Sequence, residues 1–308
     1  MPNVKEASIV GGGIMGMSLA LNLVHKGYKV SIFEASPKPG GLVEPWNIGD
    51  ISWDKFYHVI LLSDLNTRKL IKELGLEEKL NWRETKTGFY TNGKLYSMSN
   101  TWEFLKFPPL RLIDKFRLGL TIFAASRIKN WKKLESQYVE DWLKKWSGKR
   151  TFDKIWLPLL RAKLGDLYKE TSAAFIWATI QRMYAARRSG LKKEMFGYVD
   201  GGYQTIIHHL VDHLKKQGVN IYTSHRLQDL DSTPSQHKLI FDNGNTYSSP
   251  RVIFTVPSRI IPKLWSNMPS KERIQHQAIK YMGVTSTSML LKKDISPYYV
   301  TNITDDHI

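Results

Sequence analysis

An apolar run, Ala7-Ser-Ile-Val10, leads into three glycines. The next stretch carries Ile14, Met15, Leu19, Leu21, Leu23 and Val24 and leaves almost no polar face. This pattern predicts a short buried strand over 5–11 and a helix over 14–26 lying beneath a sheet. Gly27 stands where a helix ends in a left-handed residue. Lys29-Val-Ser-Ile-Phe-Glu34 reads as a second strand. Together they form a β-α-β unit of about 30 residues.

Further along, 64–74 reads as a helix opened by Ser63. Residues 88–98 read as a hairpin turning at Asn92-Gly93, the strongest short hairpin signal. From 110 to 190 the pattern is helical, broken by Pro158 and several Gly and Ser positions. After Gly201-Gly202, the residues Tyr203, Ile206, Ile207, Leu210, Val211 and Leu214 share one stripe and predict an amphipathic helix. Short strands return over 219–222, 225–230, 237–242, 245–248 and 251–255, with a turn at Asn243-Gly244. No internal repeat or low-complexity tract interrupts the chain.

Composition narrows the classes. Of 308 residues, 42% are hydrophobic and 24% charged, the profile of a globular chain long enough for about two domains. Cysteine is absent, which excludes disulfide scaffolds, thiolate metal sites and cysteine nucleophiles. The net charge is +17. Residues 101–200 hold most of the excess, with 21 basic and 10 acidic side chains. Such a region can meet nucleic acid, anionic lipid or an anionic small substrate, or be a solvated basic surface. The N-terminus lacks the basic and apolar regions of a secretory signal. The longest mostly apolar window, Leu118 to Ser126, is far short of the ~20 residues that span a bilayer.

The chemistry concentrates in Gly11-Gly12-Gly13-Ile14-Met15-Gly16. This fits G-x-G-x-x-G between a strand and a helix, and Glu34 closes the following strand. That context is a dinucleotide fingerprint. Gly11 permits the tight turn, Gly13 lets backbone approach a diphosphate, and Gly16 lets helix and strand pack closely. The helix start, with Ile14 and Met15, offers free amides and a partial positive charge. Glu34 accepts from an adenosine ribose.

The continuation Glu34-Ala35-Ser-Pro-Lys-Pro-Gly40-Gly41-Leu42 resembles the flavin-dependent amine oxidase, protoporphyrinogen oxidase and phytoene desaturase superfamily. There the ribose-binding Glu is followed by a Gly-Gly pair against the FAD diphosphate. The usual next residue is Arg, and here it is Leu42. Asp54-Lys-Phe-Tyr-His58 is similar to the segment that passes the flavin ring in relatives, including UDP-galactopyranose mutase. Trp156–Gly165 resembles their helical cap. Tyr198–Tyr203, Gly218–Tyr222, Arg226-Leu227 and Arg251–Pro257 resemble the return to the FAD domain, with Leu227 bonding adenine through its backbone. The resemblance therefore implies FAD, with Gly11, Gly13, Ile14, Met15, Gly16, Glu34, Ala35, Gly40, Gly41, Leu42, His58 and Leu227 as cofactor-binding residues.

The expected fold is α/β: a Rossmann-type FAD domain built from discontinuous segments, 1–80 and 195–258. A mainly helical cap, 81–194, is inserted, and 259–308 begins a mixed-sheet substrate domain. The last flavin segment of the superfamily is missing, so the chain reads as C-terminally truncated, or else as a short paralogue. A second glycine fingerprint and CxxC are both absent, which argues against a pyridine-nucleotide disulfide reductase.

The expected function is an FAD-dependent oxidoreductase moving a hydride from substrate to flavin. The alternatives are a flavin-dependent isomerase resembling UDP-galactopyranose mutase and an inactive remnant. No catalytic acid or base is assigned, and no metal is expected. His209 and His213 share a helix face at i, i+4, but no further ligand has suitable spacing. Arg161, Lys163, Arg182, Arg187 and Arg188 either meet an anionic substrate or lie on a solvated face. Trp131, Trp142, Trp146, Trp156 and Trp177 are expected to pack a core. The expected partner is a small molecule, anionic or lipid-linked, with peripheral membrane contact left open and no nucleic acid. The expected location is cytoplasmic or membrane-peripheral.

Overall fold

A computed structural model describes residues 5–56, 59–99, 101–187 and 195–305. The chain divides into two compact units. The first comprises Met1–His58, Lys69–Leu80 and Val199–Ser286, and the second Val59–Arg68, Asn81–Tyr198 and Thr287–Ile308.

The first unit is built on a four-stranded parallel sheet, in the order Asn220–Tyr222, Lys29–Phe33, Glu6–Val10, Val252–Phe254. Val10 pairs with Phe33 and Phe254, and Phe33 with Tyr222, so all four strands end at one level. Parallel strands covered on both faces read as continuous apolar runs. Accordingly Ala7, Ile9, Val30 and Ile32 are fully buried. One cover is the helix Ile14–Val24, which packs beside the helix Gly202–Lys216. The other is an antiparallel meander of Leu227–Ser232, His237–Phe241 and Thr246–Ser249. Phe33 ties sheet and meander together, with Phe241 at 4.8 Å and Tyr247 at 5.1 Å between ring centroids. Gly27 has φ +78, the left-handed stop that the sequence predicts after the first helix.

The second unit is mainly helical. Its core gathers Trp142, Leu143, Phe152, Trp156 and Tyr168 from helices and a π-helical turn at Phe152–Trp156. A buried relay crosses it. Trp156 Nε1 donates to Ser147 Oγ at 3.1 Å, Ser147 to Thr121 Oγ1 at 3.0 Å, and Thr121 to the Arg117 carbonyl at 2.7 Å. Pro158 stands in the first turn of the helix Leu157–Leu164, where its missing N–H costs nothing. The predicted hairpin forms from Thr87–Thr91 and Lys94–Ser97, with Asn92 and Gly93 both at positive φ. Val300–Ile303 adds to it as a parallel strand.

The units depart from the sequence-based boundaries at three places, one being 195–198, which lies with the helical unit. Residues 59–68 lie with the helical unit because Ile60–Leu61 pairs with Met195–Val199 and Asp64 binds Arg182. Residues 259–286 lie largely with the sheet unit because Leu264 and Trp265 pack against the meander's core. The helix predicted from Ser63 spans Leu65–Glu73. The Ser63 hydroxyl does not cap it but donates to the Arg182 carbonyl at 3.2 Å.

Candidate functional site

The level at which the parallel strands end is where α/β sheets receive ligands. Here the chain leaves Val10 into the glycine turn. Gly11 has φ +115, which a side chain rarely tolerates, and a Cβ there would lie 2.6 Å from Thr255 Oγ1. A Cβ on Gly16 would lie 2.0 Å from the Gly11 carbonyl oxygen, so helix and turn meet without room for a methyl group. Gly13 differs: its φ is −73, and a Cβ would find its nearest neighbours at 3.9 and 4.0 Å. Its bareness is not required by packing within the protein. No side chain caps the helix that follows, and no acidic residue sits in its first turn. The positive end of that helix therefore stays available to an anion.

Gly40 and Gly41 dock directly on this turn. Gly13 and Gly40 form an isolated parallel bridge, and the Gly40 amide donates to the Gly12 carbonyl at 2.9 Å. Gly40 has φ +140 and Gly41 φ +60. A Cβ on Gly41 would press to 3.2 Å from Gly13 Cα. Two glycine loops distant in sequence thus become one backbone surface. Leu42, the residue after them, is 78% exposed and contributes no charge.

Glu34 is held at the end of its strand by its own acceptor atoms. Oε2 accepts from the Gly12 amide at 2.6 Å and Oε1 from the Ser36 amide at 2.8 Å. Beside it lies a cavity of about 290 Å³, at the small end of ligand cavities and suited to a nucleoside portion. Gly11, Glu34, Ala35 and Leu227 line it with Val256 and Leu264. Leu227 is buried, so its side chain supplies an apolar wall.

These observations test the fit to FAD. A turn bare at Gly13 without internal need, an uncapped helix start and a small apolar cavity beside a fixed carboxylate match diphosphate, ribose and adenine in sequence. The residues fit the adenosine-diphosphate half of the cofactor. Gly11, Glu34, Ala35 and Leu227 meet at the cavity, while Gly13, Gly40 and Gly41 meet at the turn. Ile14, Met15 and Gly16 form the first helical turn beside it. His58 lies outside the described residues.

Sequence reasoning missed Thr255. Its hydroxyl donates to the Gly11 carbonyl at 3.0 Å, bracing the turn from the neighbouring strand. Val256, Ile260, Lys263 and Leu264 were missed with it. The available signal was that Val252–Phe254 is a parallel strand whose next residues must emerge at the ligand edge.

Other candidates separate. Arg182 forms a two-point pair with Asp64, at 3.0 and 2.7 Å, so it serves the helical unit's structure. Burial raises the Asp64 carboxyl, but hydrogen bonds from Arg182 and the Leu61 amide, with the Arg182 charge, outweigh it and hold the group below its ordinary 3.8. Arg161 borders a separate cavity of about 500 Å³ with Asp153 and Lys154. Arg188 lies outside the described residues, and nothing is assigned to the Arg187 side chain. His209 is exposed, whereas His213 lies 3.9 Å from Glu73, which also meets His25 at 3.2 Å. Among the described residues no group of side chains has metal-binding geometry. Trp142 and Trp156 are core residues as expected, but Trp131 and Trp146 are exposed.

Comparison with known proteins identifies the family. The sequence pattern of the flavin containing amine oxidoreductase family matches residues 14–291. A 15-cis-phytoene desaturase of Capsicum annuum is 24% identical over 91% of this chain and 51% of its own length. A putrescine oxidase structure with bound putrescine superposes with TM-score 0.69 at 18% identity, covering 89% of this chain and 63% of the other. A fatty acid isomerase from P. acnes superposes with TM-score 0.68 at 13% identity, covering 88% and 63%. The site and fold define a flavin-binding α/β protein. The chain belongs to the flavin containing amine oxidoreductase family, and its cofactor is FAD. It spans about half the length of the curated relatives it matches.

Proposed function

We propose that the protein takes a hydride from a C–H bond of a small-molecule substrate, in a hydrocarbon chain or on a carbon bearing an amine, and passes it to FAD. The observation that carries this reading is the docking of Gly40-Gly41 on the Gly11–Gly16 turn beside the Glu34 cavity. FAD, when bound, supplies the hydride acceptor. The chain's own residues supply the hold. The amides at the start of the Ile14–Val24 helix face the diphosphate charge, and Thr255 keeps the turn in shape. Glu34, fixed by two amides, accepts from the ribose, while Leu227 and Leu264 keep water from the adenine.

The desaturase named among the relatives favours a hydrocarbon-rich, lipid-like substrate, whose C–H bonds would be the hydride source. Anaerobic mixing of the FAD-loaded chain with a polyisoprenoid or with an alkyl amine tests this. Bleaching of the visible flavin band by the isoprenoid supports the reading, and bleaching by the amine alone moves the substrate class. The fold shared with a fatty acid isomerase supports a second reading, a reaction without net redox change. That reading predicts turnover only after the flavin is reduced beforehand, with no steady consumption of acceptor. A folded chain that takes up no flavin would leave the inactive remnant.

A further inference from the structure

The helix Leu112–Arg127 in the helical unit buries a mixed face, with Leu118 and Ala125 in the core beside Asp114, Lys115 and Thr121. Its exposed face carries Leu112, Ile113, Phe116, Leu120 and Phe123. At 3.6 residues per turn, these five positions share one side, interrupted only by Gly119. Leu112 is 75% exposed and Phe116 68%. Scattered exposed apolar residues are ordinary, but a continuous stripe marks an interaction surface.

The polar side chains have structural work elsewhere. Lys115 Nζ donates to the Leu105 carbonyl at 2.6 Å, and Arg117 donates to the carbonyls of Lys145 and Trp146 at 3.1 and 3.2 Å. Asp114 accepts from the Arg111 amide at 3.2 Å. The short helix Thr101–Lys106 packs alongside and exposes Trp102, at 75%, and Leu105.

The rim decides the partner. Between 104 and 134 the only acidic residue is Asp114, which is buried. Lys106 and Arg111 are exposed at one end of the stripe, and Arg127, Lys129, Lys132 and Lys133 at the other. A second copy would set one basic rim against another, so self-association is opposed by like charge. An apolar stripe with a Trp beside it and cations at both ends fits a lipid surface bearing negative headgroups. No helix among the described residues is long and apolar enough to cross a membrane.

We propose that the Leu112–Arg127 helix lies in the surface of an anionic bilayer, its stripe sunk among the acyl chains and its rim on the headgroups. The proposal is independent of the flavin reading, and its test reads neither colour nor turnover. The full chain is sedimented with vesicles of phosphatidylcholine alone and of phosphatidylcholine mixed with phosphatidylglycerol. The wild type is expected to pellet with the mixed vesicles and to be released by high salt.

The double substitution Phe116→Ser, Phe123→Ser is expected to weaken partitioning at least about tenfold. Lys132→Glu with Lys133→Glu is expected to do the same through charge alone, also at least about tenfold. All four positions are exposed, so thermal melting should be unchanged. Equal binding to neutral vesicles, no binding by the wild type, or undiminished binding by the Ser variant would overturn the proposal. So would a concentration-dependent dimer, seen by light scattering, that the Ser variant abolishes.

Discussion

The glycine cradle and the Leu112–Arg127 helix both leave ordinary rules unsatisfied, but in opposite ways. In the cradle, side chains are missing where backbone must come close: Gly16 against Gly11, and Gly41 against Gly13. In the helix, apolar side chains are present where solvent would be expected, at Phe116 and Phe123. The first departure lets the backbone loops close into one surface, and the second offers an apolar one. Removing an atom and exposing one are both costly to a folded chain, and both mark places where stability alone did not choose the residue.

The sharpest way to probe the cradle is to separate its packing glycines from its ligand glycine. Gly16→Ala places a methyl group 2.0 Å from a carbonyl oxygen and should cost about 3 kcal/mol of stability together with flavin uptake. Thermal melting and bound flavin should fall together. Gly11→Ala should behave similarly, because its φ of +115 strains any side chain.

Gly13→Ala should part the two effects. Its methyl group has space within the protein, so melting should hold while flavin uptake is lost. Equal melting losses for the Gly13 and Gly16 variants would erase the distinction between packing and binding glycines.

Glu34→Gln keeps the shape but replaces a charged acceptor. It should weaken flavin binding and cost about 1.5 kcal/mol, the order of one charge-assisted hydrogen bond, read by flavin titration and by melting.

The smallest expected effect lies in the helical unit. Asp64 titrates below its ordinary 3.8 in the folded chain. Its pair with Arg182 therefore contributes fully above the unfolded value and is lost as pH falls through the depressed folded one. Arg182 is 53% exposed, so solvent screening limits the contribution to about 1 kcal/mol or less. Asp64→Asn should lower stability at neutral pH and flatten the acid limb of the melting profile. An unchanged acid limb would assign that limb to other carboxylates.

What the sequence disclosed follows the range of the interactions. The first strand, helix and strand were legible because their signals are local: apolar runs, a glycine stop and a glycine fingerprint within 30 positions. The hairpin at Asn92-Gly93 was legible for the same reason. Thr255 was not, because it meets Gly11 across 244 positions and has no motif of its own. The Asp64–Arg182 pair spans 118 positions and drew 59–68 into the helical unit against the sequence-based boundary. The Leu112–Arg127 helix lies inside the stretch 110–190 that reads as helical, but neither its bounds nor its outward face were legible. A helix apolar on most sides gives no periodic signal for which side is buried. Only the placement of Asp114, Lys115 and Thr121 inward fixes the stripe outward.

The central claim is that this chain's glycine turns and the Glu34 cavity hold the adenosine-diphosphate half of FAD. The most direct test is a titration of the folded full chain with FAD and, separately, with FMN, which keeps one phosphate but lacks the adenylate. Flavin fluorescence would be followed in both. Saturable binding of FAD with no binding of FMN over the same range is the predicted result. Equal binding of the two, or no binding of either by a chain whose circular dichroism shows it folded, would contradict the account.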